Sequence, residues 1–387
     1  MTSTPLMADQ TLFRDARIFD FDHLPETFHY RDAQVRDLAF AFRPCLHGST
    51  PLNTILRGVP GTGKTTAVRR IFAEVGEVCE TVVPVLVPCQ AHCTPYAVFS
   101  QIYLALFGQS PPGTGVPLRR VMARIAGDIA ARGAVLVVCL DDAGHLLHAG
   151  VLDEVLASLL RIHEGYPGAR AGVLLTLSDV DLDLSTALTP STLSVLHASE
   201  VFFPPYSRQE IRGILADRVR AGLYPGVVPP AILDLMAERT DACGDLRVGL
   251  DMVRRAALAA EMEARTTVTA EDVHAAYAVS RHLQVGAALG SLNEGERAVL
   301  DAVLASAEDE AVISAEAYTR LLERRQMSYT AFHDHLRKLE FLRLVDLVKV
   351  RRKGRARAVL VRDGVEEVMP VRGAGVAEEE RGYGGGR

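Results

Sequence analysis

The feature that most constrains this chain is the octapeptide GVPGTGKT at residues 58–65. It fits the pattern G-x-x-x-x-G-K-[ST] without substitution, and such a loop functions only between a strand and a helix. Both flanks agree here, because a β-branched segment from Thr54 to Leu56 precedes the loop and a helical pattern starts at Thr65. The arrangement indicates a loop that holds phosphate groups.

Each residue type in this loop has a physical role. The glycines permit a tight turn in which backbone N–H groups point inward at phosphate oxygens. Lys64 would neutralise the β- and γ-phosphates, the Thr65 hydroxyl would ligate Mg²⁺, and the following helix would contribute its positive N-terminal end. We therefore predict that the chain binds ATP or ADP with Mg²⁺. The loop residues predicted to contact nucleotide are Gly58, Pro60, Gly61, Thr62, Gly63, Lys64, Thr65 and Thr66.

An acidic pair follows the apolar run AVLVVCL, which predicts a buried strand at 134–140. Asp141, at its end, is predicted to hold Mg²⁺ together with Thr65, directly or through water. Asp142 stands where many P-loop ATPases carry a Glu that polarises the attacking water. The shorter Asp could misplace that water by about 1 Å, which can cost on the order of 100-fold in rate. A helix N-cap after a buried strand is the alternative interpretation of this pair.

The rest of the chain alternates strand and helix patterns before it becomes wholly helical near residue 208. Strands separated by helices imply βαβ units and a parallel sheet buried on both faces, so the predicted fold class is α/β. The predicted strands are 54–56, 82–88, 134–140 and 171–178. The predicted domains are a P-loop domain at 1–204, a helical domain at 205–285, a winged helix at 286–365 and a disordered tail, charged and Gly-rich, at 366–387.

Composition excludes several classes of protein. The net charge is −6, so the chain as a whole does not indicate a polyanion partner. No stretch approaches the roughly 18 uninterrupted apolar residues that span a bilayer, and the first ten residues lack the pattern of a signal peptide. We therefore expect a cytoplasmic protein with no membrane partner. The six cysteines, in so long a chain, are expected to be reduced thiols.

The segment SYTAFHDHLRKLE at 328–340 predicts a recognition helix with Ser328 as its N-cap. Its inward stripe is Phe332, Leu336 and Leu339. A β-hairpin pattern with the turn RRKG follows, so the block 293–362 reads as a winged helix. Predicted to face outward are Thr330, His333, Asp334 and Arg337, with Lys338 flanking them.

Basic residues concentrate in this hairpin. Residues 343–362 carry eight basic side chains and one acidic one, which is a local phosphate footprint on an acidic protein. The wing cations would contact DNA phosphates or the minor groove while the helix meets the major groove. A solvated charged hairpin, or a winged helix that docks on protein, is the alternative. The predicted DNA-binding residues are Arg337, Lys349, Arg351, Arg352, Lys353, Arg355 and Arg357.

Taken in order, these motifs resemble those of the archaeal origin-recognition initiators, which are AAA+ ATPases related to eukaryotic origin recognition complex subunits. The resemblance covers about residues 10–362. LPETFHYRDAQVRDLA (24–39) is similar to the family's adenine-side segment, and FFPPYSRQEIRGILADRV (202–219) to the start of its lid. The resemblance implies that Tyr206 and Arg218 contact nucleotide and that Arg247, in GDLRVGLDMVRRA, reaches the γ-phosphate as a catalytic residue.

Three residues depart from the family's pattern. Ser178 stands where the family usually has the sensor-1 Asn, and Ser191 where an arginine finger usually follows Leu-Asp-Pro. Such a finger is commonly worth about 10³–10⁵ in rate. Together with Asp142 in place of Glu, these departures predict nucleotide binding with slow or absent hydrolysis. The family's second DNA contact corresponds to 94–117, which holds no Lys or Arg here.

The resemblance implies a replication initiator that binds ATP and double-stranded origin DNA and helps recruit the replicative helicase. Other copies of the initiator are a further partner that it implies. Two alternatives stay open. One is a non-initiating paralogue, a DNA-binding regulator that retains ATP or ADP as a structural ligand. The other is an ATPase of the clamp-loader kind that acts on proteins.

Overall fold

The computed structural model of the protein describes residues 12–112, 115–180, 182–290, 292–306, 312–349, 357–362 and 364–365. The chain divides into two compact units, Met1–Tyr277 and Ala278–Arg387. The three predicted domain ranges stay a prediction. The predicted disordered tail lies outside the described residues. Within the described ranges, no helix is both long enough and apolar enough to cross a membrane.

A five-stranded parallel sheet forms the centre of the first unit, in the order β2-β3-β4-β1-β5. The predicted α/β class is confirmed. Continuous apolar runs produce the inner strands, and every residue of β3 is buried. The fifth strand was not predicted from the sequence, because only Val201 in it is buried and an edge strand has no continuous apolar run. The strands are β1 (Thr54–Arg57), β2 (Val82–Pro88), β3 (Val135–Asp141), β4 (Ala171–Leu177) and β5 (Ser199–Phe202).

Helices cover both faces of this sheet and bury a separate apolar core on each side. The helical segment at 152–165 is divided into two pieces, because Arg161 leaves the helical conformation at ψ 16° and ends the first piece. The helices are α1 (Asp32–Phe42), α2 (Lys64–Val78), α3 (Pro95–Phe107), α4 (Leu118–Ala131), α5 (Gly144–His148), α6 (Leu152–Leu160), α7 (Ile162–Gly165) and α8 (Pro190–Leu196). Short 3₁₀ turns occur at Ala16–Phe19, Arg43–His47 and Leu184–Thr186.

Four further helices follow the sheet, and a capping box at Ser207 and Glu210 starts the first of them. They are α9 (Arg208–Gly222), α10 (Pro230–Cys243), α11 (Leu246–Met262) and α12 (Ala270–Gly290). Their core also contains Phe13 and Phe19 from the segment before α1. Sequence analysis missed this docking, because a short polar segment with isolated aromatics shows no periodic pattern.

Beyond the end of α12, the described part of the second unit contains three helices and a small antiparallel sheet, an arrangement compatible with the predicted winged helix. Its strands lie in the order β6-β8-β7. Phe332, Leu336 and Leu339 are fully buried, so the predicted inward stripe of the recognition helix is confirmed. The elements are α13 (Glu294–Leu304), β6 (Val312–Ile313), α14 (Ser314–Leu322), α15 (Tyr329–Phe341), β7 (Val345–Lys349) and β8 (Arg357–Val361).

Candidate functional site

The glycine-rich loop joins β1 to α2, as its motif predicts. Gly61 and Gly63 have φ of +77° and +91°, a left-handed conformation that residues with a Cβ rarely adopt. Space is as restrictive as conformation. A Cβ on Gly61 would lie 2.6 Å from Oδ1 of Asp245, and one on Gly63 would lie 2.7 Å from the hydroxyl of Tyr206. Glycine therefore lets residues from beyond the sheet approach the loop closely.

The Lys64 ammonium lies in the middle of this loop, and its side chain is almost fully buried. Nζ donates to the carbonyls of Gly58 at 2.5 Å and Val59 at 3.1 Å, and to Oγ of Ser178 at 3.4 Å. All three of these acceptors are neutral oxygens. The ammonium can therefore exchange them for the anionic oxygens of a phosphate at little cost in hydrogen bonds.

Asp141 ends β3 beside the first turn of α2. The Thr65 hydroxyl donates to its two carboxylate oxygens at 2.9 Å and 3.0 Å. Burial raises the pKa of Asp141, and the charge of Asp142 adds to this effect, whereas hydrogen bonds from Thr176 and Thr65 oppose it. A hydroxyl and a carboxylate at this separation are oxygen donors of the kind that Mg²⁺ takes from proteins beside phosphate oxygens and water. The predicted metal ligands therefore fit that ion.

Asp142 is held by the end of β4. Its φ of +52° is left-handed, and its backbone N–H donates to the Thr176 hydroxyl at 2.7 Å. Its carboxylate Oδ1 accepts from the Ser178 hydroxyl at 3.3 Å. Two hydroxyls of one strand end thus orient the acidic pair. Sequence analysis missed Thr176, and its only signal was a single hydroxyl in an otherwise apolar strand.

Arg247 approaches the same site from the first turn of α11. The fully buried carboxylate of Asp245, which is the N-cap of that helix, accepts from the guanidinium at 3.1 Å and 2.8 Å. This contact raises the pKa of Arg247. The fork of two parallel hydrogen bonds fixes the plane of the guanidinium. Asp245 was not singled out from the sequence, where it resembles an ordinary helix N-cap.

Arg31 lies behind the site and is 2% exposed. Its guanidinium donates to the carbonyls of Thr62 at 3.0 Å, Tyr30 at 2.9 Å and Pro204 at 2.6 Å. It also stacks 3.7 Å from the ring centroid of Tyr206. Burial lowers the pKa of Arg31. One side chain therefore ties the phosphate loop to the chain that leads into α9.

A cavity of about 610 Å³ opens between the phosphate loop, the segment before α1 and helices α9 and α11. Gly58 and Thr62 do not line it. Arg218 lines it and donates to the carbonyl of Ile18 at 2.9 Å, and burial lowers its pKa. The predicted residues that the structure brings together around the cavity are Pro60, Gly61, Gly63, Lys64, Thr65, Thr66, Asp141, Asp142, Ser178, Tyr206, Arg218 and Arg247.

Ser191, at the predicted finger position, is not among the residues that line the cavity. It lies in the first turn of α8 and against Arg161, whose guanidinium donates to the Ser191 hydroxyl at 2.6 Å and to its carbonyl at 3.1 Å. The same guanidinium contacts Glu164 at 3.4 Å. The predicted finger position thus carries a hydroxyl that is bonded to the arginine between α6 and α7.

In the second unit, the predicted DNA-binding residues fall into three groups. Arg337 is exposed on α15, and Arg357 pairs with Lys349 in the register of β7 and β8. Lys338, expected to flank the DNA face, instead forms an ion pair at 2.8 Å with Glu296, which is 3% exposed. Arg351, Arg352, Lys353 and Arg355 lie outside the described residues.

Comparisons with known proteins identify the family of this chain. A family model for the AAA domain matches residues 47–183, and one for the Cdc6 AAA+ ATPase-type lid domain matches residues 212–278. ORC1-type DNA replication protein 6 of Halobacterium salinarum is 40% identical over 91% of this chain and 93% of its own length. ORC1-type DNA replication protein 3 of Haloarcula marismortui is 39% identical over 93% and 96%.

A solved structure shows the same likeness over the whole fold. The Aeropyrum pernix ORC1 protein in complex with DNA superposes with a TM-score of 0.68 at 26% identity, over 93% of this chain and 97% of that one. These comparisons confirm the resemblance inferred from the motifs.

Proposed function

The chain belongs to the family of ORC1-type DNA replication proteins. We propose that it is a DNA replication initiator that binds ATP and double-stranded origin DNA. The observation that carries the proposal is the convergence of Lys64, Asp141 and Arg247 on one cavity from three separate segments. Recruitment of the replicative helicase and assembly with other initiator copies complete the proposal.

Nucleotide binding would use the charges that line the cavity. Lys64 and the loop amides would hold the phosphates, and the positive N-terminal end of α2 would add to their attraction. Thr65 and Asp141 would hold Mg²⁺, which neutralises phosphate charge when bound. Arg247, kept in plane by Asp245, would meet the terminal phosphate, and Tyr206 and Arg218 would contact the rest of the nucleotide.

Hydrolysis would be slow. Asp142 is tied into a tight turn and its carboxylate is shared with the Ser178 hydroxyl, so it is poorly placed to orient a water on a terminal phosphate. The Ser191 hydroxyl carries no charge to stabilise the transition state. The protein would thus persist in a nucleotide-bound form.

DNA binding would use the winged helix. Arg337 on the recognition helix and Arg357 at the base of the wing would contact phosphates, with the basic wing residues beyond them. Burial, together with Arg357 and Arg337, lowers the pKa of His333, so this outward side chain is neutral near pH 7 and adds no charge. Few base contacts are expected from a helix face that also carries Asp334.

Titration of a fluorescent ATP or ADP analogue into the purified chain with Mg²⁺ tests nucleotide binding. Lys64→Ala should weaken affinity by at least tenfold, whereas Arg132→Ala should not, because Arg132 pairs with Asp128 at the surface away from the cavity. A wild-type chain without affinity for either nucleotide would contradict the proposal.

A second experiment distinguishes an initiator from the alternative. That alternative is a non-initiating paralogue, a DNA-binding regulator that holds nucleotide and binds at sites other than origins. Ser178 and Ser191 favour that alternative, because an ATPase cycle would not be needed. Mapping of bound sites in cells should place the protein at replication origins. Binding only at other loci would select the paralogue.

A further inference from the structure

A threonine in the middle of the sheet stands out among the apolar residues of β4. Thr176 is completely buried, and its neighbours Leu175 and Leu177 belong to the apolar core. A buried hydroxyl needs hydrogen-bond partners to offset its loss of water. Thr176 has two, and both belong to the acidic pair at the end of β3.

The hydroxyl of Thr176 is used in both directions. It donates to Oδ1 of Asp141 at 2.7 Å and accepts from the backbone N–H of Asp142 at 2.7 Å. The first bond fixes the rotation of the Asp141 carboxylate. The second supports the left-handed turn at Asp142, a conformation that residues with a Cβ rarely adopt. One hydroxyl thus holds the carboxylate of Asp141 and the backbone of Asp142.

The position of this hydroxyl is determined by strand register. Leu140 pairs with Leu175 between β3 and β4. The next residues, Asp141 and Thr176, therefore lie side by side at the carboxyl ends of these two strands. On its other side Thr176 pairs with Leu56 of β1. A side chain on a central strand held from both sides is a rigid support for a neighbouring group.

We propose that Thr176 is a positioning residue for the divalent-cation site formed by Thr65 and Asp141. This inference rests on the proposed function, because the cation enters with the nucleotide. Thr176 does not line the cavity. It would act on the cation through Asp141, whose carboxylate it holds in place beside the Thr65 hydroxyl.

Hydrogen-bond partners of metal-binding side chains typically contribute about 10–100-fold to metal affinity. Thr176→Val keeps the shape of the side chain and removes the hydroxyl, whereas Thr176→Ser keeps the hydroxyl and loses only the methyl group. The two variants therefore separate hydrogen bonding from packing. Thr240→Val is a matched control, since Thr240 is also fully buried but its hydroxyl donates to the Met236 carbonyl within α10, away from the acidic pair.

The experiment measures affinity for a fluorescent ADP analogue across a Mg²⁺ series and in EDTA. Thr176→Val should raise the half-saturating Mg²⁺ concentration by about 10–100-fold and leave affinity in EDTA unchanged. Thr176→Ser and Thr240→Val should stay close to wild type. An unchanged Mg²⁺ requirement in Thr176→Val, or an equal shift in Thr240→Val, overturns the inference.

Folding of each variant is checked by circular dichroism before titration. If Thr176→Val does not fold, Thr176→Ala serves in its place, because the smaller side chain admits water to the orphaned Asp142 amide. It should show the same increase in Mg²⁺ requirement, and a wild-type requirement in it overturns the inference. A wild-type chain that binds no nucleotide at any Mg²⁺ concentration overturns the proposed function itself, which is a distinct outcome.

Discussion

Adjacent basic residues on the recognition helix are expected to respond oppositely to substitution. Arg337 is exposed, whereas the Lys338 side chain is only 20% exposed and pairs at 2.8 Å with Glu296, whose side chain is 3% exposed. We predict that Lys338→Met lowers the stability of the winged helix. Arg337→Met should weaken DNA binding and leave that stability unchanged. Methionine is chosen because it retains most of the packing volume of either side chain.

The magnitude follows from the burial of Glu296. Removing one partner of a buried ion pair costs about 3–5 kcal/mol, since the other charge is left uncompensated. Lys338 is partly solvated, and Glu296 keeps bonds from the Asn293 backbone and amide at 2.9 Å and 2.7 Å. We therefore expect a loss of about 2–4 kcal/mol for Lys338→Met, against less than about 0.5 kcal/mol for Arg337→Met.

Two measurements distinguish these roles. Urea unfolding followed by hydrogen exchange in α13 and α15 reports the stability of the second unit. Duplex affinity over a salt series reports phosphate contacts, and loss of one contact should lower the salt slope by about 1. Arg337→Met should show that change in slope and native exchange protection. Lys338→Met should show weaker protection with the slope of the folded fraction unchanged.

The double variant Glu296→Gln with Lys338→Met provides the control, because it removes the orphaned charge and should recover part of the lost stability. The reasoning is refuted if Lys338→Met keeps wild-type protection while it loses a unit of salt slope. Lys338 would then be a phosphate contact rather than a support for the helix.

Three further predictions concern the first unit. Arg31→Met removes the donor from three carbonyls, of which that of Thr62 is in a buried hydrogen bond and the other two are partly buried. An unsatisfied buried group costs about 1–3 kcal/mol, so the urea midpoint and nucleotide affinity should both fall, and a wild-type midpoint would contradict this. Gly222→Ala places a Cβ 2.5 Å from the Phe19 ring and should cost about 1–3 kcal/mol, so limited proteolysis should cleave the segment before α1 faster than in wild type. Arg265 lowers the pKa of Asp272 to about 2, so the stability that this carboxylate contributes is complete above about pH 4 and is lost as pH falls through about 2. Between about pH 4 and pH 2, the free energy of unfolding of Asp272→Asn should therefore fall less than that of wild type. If the two plots of unfolding free energy against pH are parallel, the Arg265–Asp272 ion pair is not the cause of the acid destabilisation.

Sequence by itself determined the features that depend on neighbours along the chain. The phosphate loop follows from residue types at fixed spacing, and the inward stripe of α15 follows from helical periodicity. Four of the five strands of the sheet follow from continuous apolar runs. In each case the deciding interaction, a turn conformation or the burial of one face, is encoded within about a dozen residues, so a single sequence was sufficient to predict it.

Only the tertiary structure decided which distant side chains meet. Thr65 and Asp141, 76 residues apart, form a hydrogen-bonded pair, and Thr176 joins them through strand register. The same holds for Arg31 behind the phosphate loop and for Lys338, whose partner lies on another helix. A hydroxyl or a cation has the same local pattern whether it faces water, DNA or a buried carboxylate. Its role is set by the packing of separate elements, which no spacing rule along the chain specifies.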